Sequence, residues 1–270
     1  MSKVSTERNT DCEKKGLMVI SFGTSCRESR IKTINAIEKD LRKAFPDRLF
    51  CSGWTSHMLT AKVRKNEGSE VMTAEEAVKF MEREGITDLL VQPTHLTEGI
   101  ENKRLREILE KSSIKTIRLG RPLLTGESDL IDTGKAISQI FSEIHENQVV
   151  ALMGHGSPDR ENTIYLELEN KVRTMGRKDI FIGTVEGNPG IEHIKEGIRA
   201  SRAGKVLLAP LMVVAGDHAI NDLAGDKETS WKTETMKMGC ETIPYLHGLG
   251  ESEEIRQIYI KHAQEAECIK

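Results

Sequence analysis

Three short segments hold the residues best suited to chemistry. In Met153-Gly154-His155-Gly156-Ser157 an apolar run ends on a histidine flanked by two glycines. Glycine lets a backbone turn sharply and leaves the imidazole open to a ligand, although an isolated G-H-G also fits an ordinary turn. In Val214-Ala215-Gly216-Asp217-His218-Ala219-Ile220-Asn221-Asp222 two acids, an asparagine and a histidine follow a second apolar run. Asp217 there suits a helix N-cap, which would fix the direction of His218. Glu186, in Val185-Glu186-Gly187-Asn188-Pro189, stands where a third run stops, and alone it reads as a surface acid. Two imidazoles and one carboxylate converging on one point suit Zn, Co, Ni or Fe, and the absence of thiolate argues against a soft structural site. His155, Glu186 and His218 are therefore the expected metal ligands.

Each segment lies where a strand is expected to end. Apolar runs at 16–22, 49–54, 88–92 and 116–119 read as strands, and amphipathic stretches at 28–44, 74–84 and 101–110 as helices. After a helix at 127–146 the order restarts, with strands at 149–153, 180–185, 206–211 and 242–246 and helices at 161–175, 191–202 and 251–267. Alternating strands and helices imply parallel sheets covered by helices, and such sheets bind ligands beyond the carboxyl ends of their strands. The expected fold is α/β: two similar Rossmann-like domains, each a parallel sheet flanked by helices, with the active site in the cleft between them. The expected boundaries are a disordered leader at 1–15, an N-terminal domain at 16–126 and a C-terminal, metal-carrying domain at 127–270.

The restart is a repeat. Pro93 and Pro210 each close a strand, and Gly99 and Gly216 follow six residues later, both at an offset of 117 (210 − 93; 216 − 99). Earlier, Phe22-Gly23-Thr24-Ser25 parallels Gly154-His155-Gly156-Ser157 at an offset of 132 (157 − 25). By these offsets His155 corresponds to Gly23, and His218 to Glu101. The first half thus offers Glu101, with Glu98 and His95 nearby, where the second has a histidine. Glu101 is expected to face the cleft as a proton acceptor or ion guide; a plainer reading makes it a first-turn acid favoured by the helix dipole. The difference, 132 − 117 = 15, predicts an insertion in the first half. The polar stretch between Met58 and Thr73 is its expected place, as a surface loop that tolerates shortening.

Composition removes other classes. The 270 residues carry a formal charge of −3, with 30% charged and 37% hydrophobic residues. That is a chain able to form cores, with no electrostatic reason to bind nucleic acid. No apolar run reaches the ~18 residues needed to span a bilayer, and the polar start, with Glu7, Asp11 and Glu13, does not resemble a secretory signal. Five cysteines without a C-x-x-C pair (Cys12, Cys26, Cys51, Cys240 and Cys268) suit a reduced cytoplasmic compartment. No nucleic-acid or membrane partner is expected, and a homo-oligomer is compatible with the sequence.

Ser21-Phe22-Gly23-Thr24-Ser25, Met153-Gly154-His155-Gly156, Val185-Glu186 and, above all, Pro210-Leu211-Met212 through Ala215-Gly216-Asp217-His218-Ala219-Ile220-Asn221-Asp222 resemble the anaerobic sirohydrochlorin cobaltochelatases. These are class II chelatases, relatives of protoporphyrin ferrochelatase. Trp231-Lys232 and Gly248-Leu249-Gly250-Glu251 fit the same pattern, and the resemblance runs from about Leu17 to the last helix. It implies two Rossmann-like halves and metal ligands at His155, Glu186 and His218. It also implies insertion of Co²⁺ into sirohydrochlorin, for cobalamin (vitamin B12) synthesis, without ATP or another nucleotide. Fe²⁺ and Ni²⁺ accept the same ligand set. Ser21, Gly23, Thr24 and His95 are the expected contacts to the tetrapyrrole. Where the family often has an aromatic residue after G-T-S, this chain has Cys26-Arg27. Arg27, Arg30, Lys103, Arg104 and Lys232 are the expected partners of the substrate's carboxylates.

Insertion requires the ring to lose two pyrrole protons and the ion to lose its water. An imidazole, which titrates near ~6.5 when unperturbed, serves either as ligand or as base, so His155, His218 and Glu101 are the expected catalytic residues. Two other classes would use the same ligands: a non-catalytic carrier of metal or tetrapyrrole, and a hydrolase whose His₂-Glu site activates water. His57 ranks beside His95, while His145, His193, His247 and His262 receive no role, and Met236 and Met238 read as packing.

Overall fold

A computed structural model describes residues 13–144, 146–157 and 162–270. The first half contains β1 (Lys15–Ser21), α1 (Arg27–Lys32), α2 (Ile34–Ala44), β2 (Leu49–Trp54), α3 (His57–Glu67), α4 (Ala74–Arg83), β3 (Asp88–Pro93), α5 (Ile100–Glu110) and β4 (Thr116–Leu119). The chain continues through α6 (Glu127–Ile140), β5 (Gln148–Gly156), α7 (Thr163–Thr174), β6 (Ile180–Glu186), α8 (Ile191–Ser201) and β7 (Lys205–Pro210). A π-helical turn (Ala219–Leu223), α9 (Trp231–Lys237), β8 (Glu241–Pro244), α10 (Glu253–Gln264) and β9 (Glu267–Cys268) complete it. Among the described residues no helix is long and apolar enough to cross a membrane.

The strands form two sheets, ordered β2-β1-β3-β4-β9 and β6-β5-β7-β8. Every pairing is parallel except that of β9 with β4. Without β9 the two orders are the same, so the repeat is structural. The central strands β1, β3, β5 and β7 are apolar because helices cover both faces. The largest core cluster runs through both halves. It joins Leu17, Val19, Ile37 and Leu41 to Val150, Leu152 and Leu168, with Leu123, Ile137, Ile255 and Tyr259 between them.

The register corrects the offset at the first glycine motif. Ile20 pairs with Pro93, and Met153 with Pro210. The two prolines differ by 117, so Ile20 and Met153 are equivalent at 153 − 20 = 133, not 132. Gly23 and Gly156 obey the same offset (156 − 23 = 133), and both have positive φ, +100° and +78°. His155 therefore corresponds to Phe22 rather than Gly23. Similarity of short motifs had aligned the two serines, whereas the backbone aligns the two glycines that must turn left-handed.

The inserted segment is also located. Ser21 pairs with Trp54, and Gly154 with Thr184, which makes Trp54 and Thr184 equivalent at an offset of 130. The Trp54 and Thr184 N–H groups then bond Met72 and Pro189, 117 apart. Thirteen extra residues (130 − 117) thus lie between Trp54 and Met72, where α3 stands. The expected loop is instead a capped helix: the Ser56 hydroxyl accepts from the Leu59 N–H at 3.3 Å, and Gly68 ends the helix at φ +62°. Its inner face, Thr60 and Val63, is buried.

Other expectations shift at the edges. The helix expected at 28–44 breaks at Thr33 (φ −114°, ψ −79°), whose hydroxyl donates to the Ser29 carbonyl at 2.6 Å. Gly250 packs so closely on Thr33 that a Cβ there would come within 2.9 Å. Lys14 and Lys15 belong to the first sheet and not to a leader: β1 begins at Lys15, and the Lys14 carbonyl accepts from the Thr87 N–H at 2.9 Å. Residues 1–12 of that expected leader lie outside the described residues. The expected final helix is shorter, and β9 after it returns to the first sheet. Met238 packs in a core as expected, but Met236 is exposed.

Val63, 1% exposed, makes α3 a packed element. Val63→Asp should lower the unfolding free energy by about 3 kcal/mol or more, the cost of an unpaired buried charge. Lys65→Ser on the exposed face should change it by less than about 0.5 kcal/mol. Urea denaturation followed by circular dichroism measures both.

Candidate functional site

The carboxyl ends of the central strands of both sheets border one cavity of about 600 Å³, a volume in the range of small-molecule and cofactor sites. His155 and His218 meet in it edge-on, with ring centroids 4.7 Å apart. His155 rides on β5, whose two flanking glycines are demanded by packing. A Cβ at Gly154 would come within 2.3 Å of the Tyr165 ring, and one at Gly156 within 2.1 Å of the Glu186 carbonyl. His155 Nδ1 lies 3.0 Å from the Gly156 carbonyl oxygen, so Nδ1 carries the proton and Nε2 keeps its lone pair. His218 Nδ1 lies 2.7 Å from Asp222 Oδ2, one helical turn away, which leaves its Nε2 free in the same way. Asp217, expected as a cap, makes no side-chain cap at the turn that follows; Asp222 is the acid that holds the histidine.

Asn162 connects the segments that carry His155 and Glu186. Its Oδ1 accepts from the Ser157 N–H at 2.8 Å, and its Nδ2 donates to the Glu186 carbonyl at 2.9 Å. One buried amide thus ties the end of β5 to the end of β6. Nothing in the sequence marked Asn162, because its role exists only once the two loops are adjacent.

The opposite wall comes from the first half. Gly23 turns with its Cα against Trp54, where a Cβ would lie 2.5 Å from the indole. Ser21 is buried and accepts from the Thr94 hydroxyl at 2.9 Å, while the Thr24 hydroxyl accepts from the Cys26 N–H at 3.1 Å. His95 is buried with Nε2 3.5 Å from the Thr55 hydroxyl and Nδ1 without a partner. Burial pushes its pKa down to about 4, against the opposing pull of Glu101 and Asn102. Glu101 Oε2 and Asn102 Oδ1 are likewise buried without a hydrogen bond. Unpartnered buried acceptors are rare in folded proteins and point to a missing donor. The Ser29 hydroxyl, donating to the Ala215 carbonyl at 2.8 Å, pins the two walls together beside the His218 loop.

The structure therefore brings Ser21, Gly23, Thr24, His95, Glu101, His155, Glu186 and His218 around one cavity. It does not bring the three expected ligands into a closed set. Among the described residues no three His, Cys, Asp or Glu side chains stand together as a metal cluster. The histidine pair is preformed, and Glu186 lies exposed at the rim. None of the expected cations lines the cavity. Arg30 pairs with Glu67 over the Trp54 ring, Arg104 lies 4.0 Å from Glu75, and Lys232 bonds Asp226 at 2.8 Å. His57 pairs with Glu75, and His247 with Glu251, at the surface. His193 and His262 serve the buried acids Glu169 and Asp129. His145 lies outside the described residues.

Two equivalent parallel sheets with a ligand cleft at their strand ends define a class. SirB from Bacillus subtilis with Fe³⁺ superposes with a TM-score of 0.65 at 12% identity, covering 93% of this chain and 95% of that one. DR2241 from Deinococcus radiodurans, described as structurally similar to chelatases, superposes at 0.59 with 14% identity, over 94% of this chain and 55% of that one. The fold is the chelatase fold. Within that class the chain belongs to the cobalt chelatase (CbiK) family, which it matches over residues 15–267. It is 34% identical to the sirohydrochlorin cobaltochelatase of Salmonella typhimurium over 255 residues, 94% of this chain and 96% of the relative. It is 27% identical to the sirohydrochlorin cobaltochelatase CbiKC of Nitratidesulfovibrio vulgaris over 270 residues, 97% of this chain and 94% of the relative.

If Asp222 fixes the tautomer and direction of His218, Asp222→Ala should weaken Co²⁺ binding by about 10–100-fold while the circular dichroism spectrum is unchanged. A titration of the visible Co²⁺ absorption measures this; unchanged affinity would show that Asp222 does not orient the ring.

Proposed function

We propose that this enzyme is a sirohydrochlorin cobaltochelatase, inserting Co²⁺ into sirohydrochlorin without ATP in anaerobic cobalamin synthesis. The observation that carries the reading is the edge-on pair of His155 and His218, each with Nδ1 occupied and Nε2 free, inside a cleft of about 600 Å³. Family membership supplies the reaction type. We place the enzyme in the cytoplasm, a reading supported by four described cysteines that are all free.

The ion is a substrate, and the two Nε2 atoms are its first holders. Glu186, on a strand end that Asn162 ties to the His155 loop, turns inward as the third ligand and replaces water on the ion. Three protein ligands leave open positions for ring nitrogens. The ring must also lose two protons. Glu101, equivalent to His218 in the repeat but on the opposite wall, lines the cavity and is the acceptor of a pyrrole proton. His95 stands behind it as a neutral imidazole, because burial keeps it unprotonated above about pH 4. A neutral neighbour leaves the Glu101 carboxylate without a cationic partner on that side. Co²⁺, Fe²⁺ and Ni²⁺ all suit these ligands; Co²⁺ is preferred here on the family's activity.

Insertion is followed by the absorbance change of sirohydrochlorin when Co²⁺ is added to purified protein. His155→Ala and His218→Ala should each abolish the change while the protein stays folded, and Glu186→Ala should weaken ion binding and slow insertion. Tight binding of ring and ion by the wild type without insertion would make the protein a carrier. Glu101→Gln should slow turnover about a hundredfold and leave Co²⁺ affinity within about twofold. Equal losses of rate and affinity would make Glu101 a ligand instead. Because His95 is neutral above about pH 4, any rise of rate across about pH 5–8 belongs to other groups and should persist in His95→Gln.

A further inference from the structure

The walls of the cleft are equivalent in backbone but differ in chemistry at equivalent positions, although Leu211, Met212, Val213 and Val214 of the second half also line the cavity. In the register established by the strand pairs, Phe22 occupies the position of His155, and Ile100 that of Asp217 (217 − 100 = 117). The position before Glu101 is thus apolar where the position before His218 is acidic. The thirteen-residue insertion adds α3, which the second half lacks, and its second residue, Met58, enters the same cavity with Leu59. Met58 is 75% exposed, Ile100 64% and Phe22 48%, and all three line the cleft. Single exposed apolar residues are ordinary, but several on one wall of a ligand cavity mark a binding surface.

The wall is also rigid. The Ser56 cap, the buried Thr60 and Val63, and the ion pair of Arg64 with Glu76 hold α3 against α4. Trp54 fixes the turn that carries Phe22. With the backbone already held, only side-chain freedom is lost when a flat ring covers these residues.

We propose that Phe22, Met58 and Ile100 form a shelf for one face of the tetrapyrrole, so that the first half holds the ring and the second half holds the ion. This rests on the chelatase function proposed above and adds to it the orientation of the substrate. One face of the macrocycle lies on the shelf, and the other faces Nε2 of His155 and of His218. The shelf reads the ring face rather than the carboxylates, and α3 is the element that makes the first half different from the second. Its contribution to affinity is apolar burial, which salt does not screen.

The test uses neutral replacements, so that lost affinity reports lost apolar contact and not repulsion of the substrate's carboxylates. Met58→Asn and Ile100→Asn are compared with wild type in the full chain, with Met236→Asn on α9 as the control for an exposed methionine outside the cleft. Metal-free sirohydrochlorin is titrated by absorbance, Co²⁺ is titrated separately, and KM for the ring is taken from the insertion assay. Each shelf variant should weaken ring binding and raise KM about fivefold or more, and the double variant about thirtyfold, with Co²⁺ affinity within about twofold of wild type. Met58→Leu should restore ring affinity, and Met236→Asn should leave both affinities unchanged. A wild type that inserts Co²⁺ alongside shelf variants with unaltered ring affinity removes the shelf alone. A wild type that neither binds sirohydrochlorin nor inserts Co²⁺ removes the proposed function and the shelf together.

Discussion

Each sheet has a positive-φ glycine at the carboxyl end of its equivalent strand: Gly23, at φ +100°, two residues past β1, and Gly156, at φ +78°, closing β5. That pair of turns decides where Phe22 and His155 go. A parallel strand delivers its chain at the carboxyl end of the sheet, and only a sharp reversal keeps the next residues at the cleft instead of crossing it. Each glycine is also a contact: Gly23 lies against Trp54, and Gly156 against the Glu186 carbonyl. A side chain at either position would strain the backbone and push apart the strands it joins. The residue just before the turn then projects into the cavity, and it is Phe22 in one half and His155 in the other.

From this common frame the two halves diverge. In the second half, hydrogen bonds to Nδ1 fix both histidines with Nε2 outward, using a backbone carbonyl for one and Asp222 for the other. Asn162 spans two strand ends with one amide, donating on one side and accepting on the other. The polar atoms there are mostly satisfied and oriented. In the first half His95 and Glu101 line the cavity, and each, like the neighbouring Asn102, has a buried polar atom without a partner. One wall is thus preorganised to hold a cation through lone pairs, and the other keeps acceptors waiting behind an apolar surface.

The halves are joined by more than a linker. Tyr259 on α10 donates its hydroxyl to the Thr94 carbonyl at 3.0 Å, and Arg256 bonds Asp40 on α2 at 2.6 Å. The loop before α10 packs Gly250 onto Thr33 at the break between α1 and α2. The last helix and strand of the chain therefore brace the first sheet, and the cleft walls are set by contacts far apart in sequence.

The sequence by itself determined the α/β class, the repeat, the strand ends that carry the histidines and the place of the insertion. These follow from local pattern: apolar runs, turn residues and offsets between similar motifs, all of which survive without knowing which segments touch. It did not determine that the insertion is a helix, since Thr60 and Val63 are a thin apolar stripe among Lys62, Arg64 and Lys65 and their burial depends on α4 beside them. It misjudged the offset at Gly23 by one residue, because matching serines is a weaker signal than matching backbone φ. It could not show Asn162, Asp222 or Trp54 at work, because each acts through a partner brought close only by folding. Nor could it place the cations: Arg30, Arg104 and Lys232 stand near the right motifs in sequence, but tertiary structure sets each beside an acid outside the cavity. Local pattern assigned the chemistry to strand ends; long-range packing alone decided which side chains share a wall.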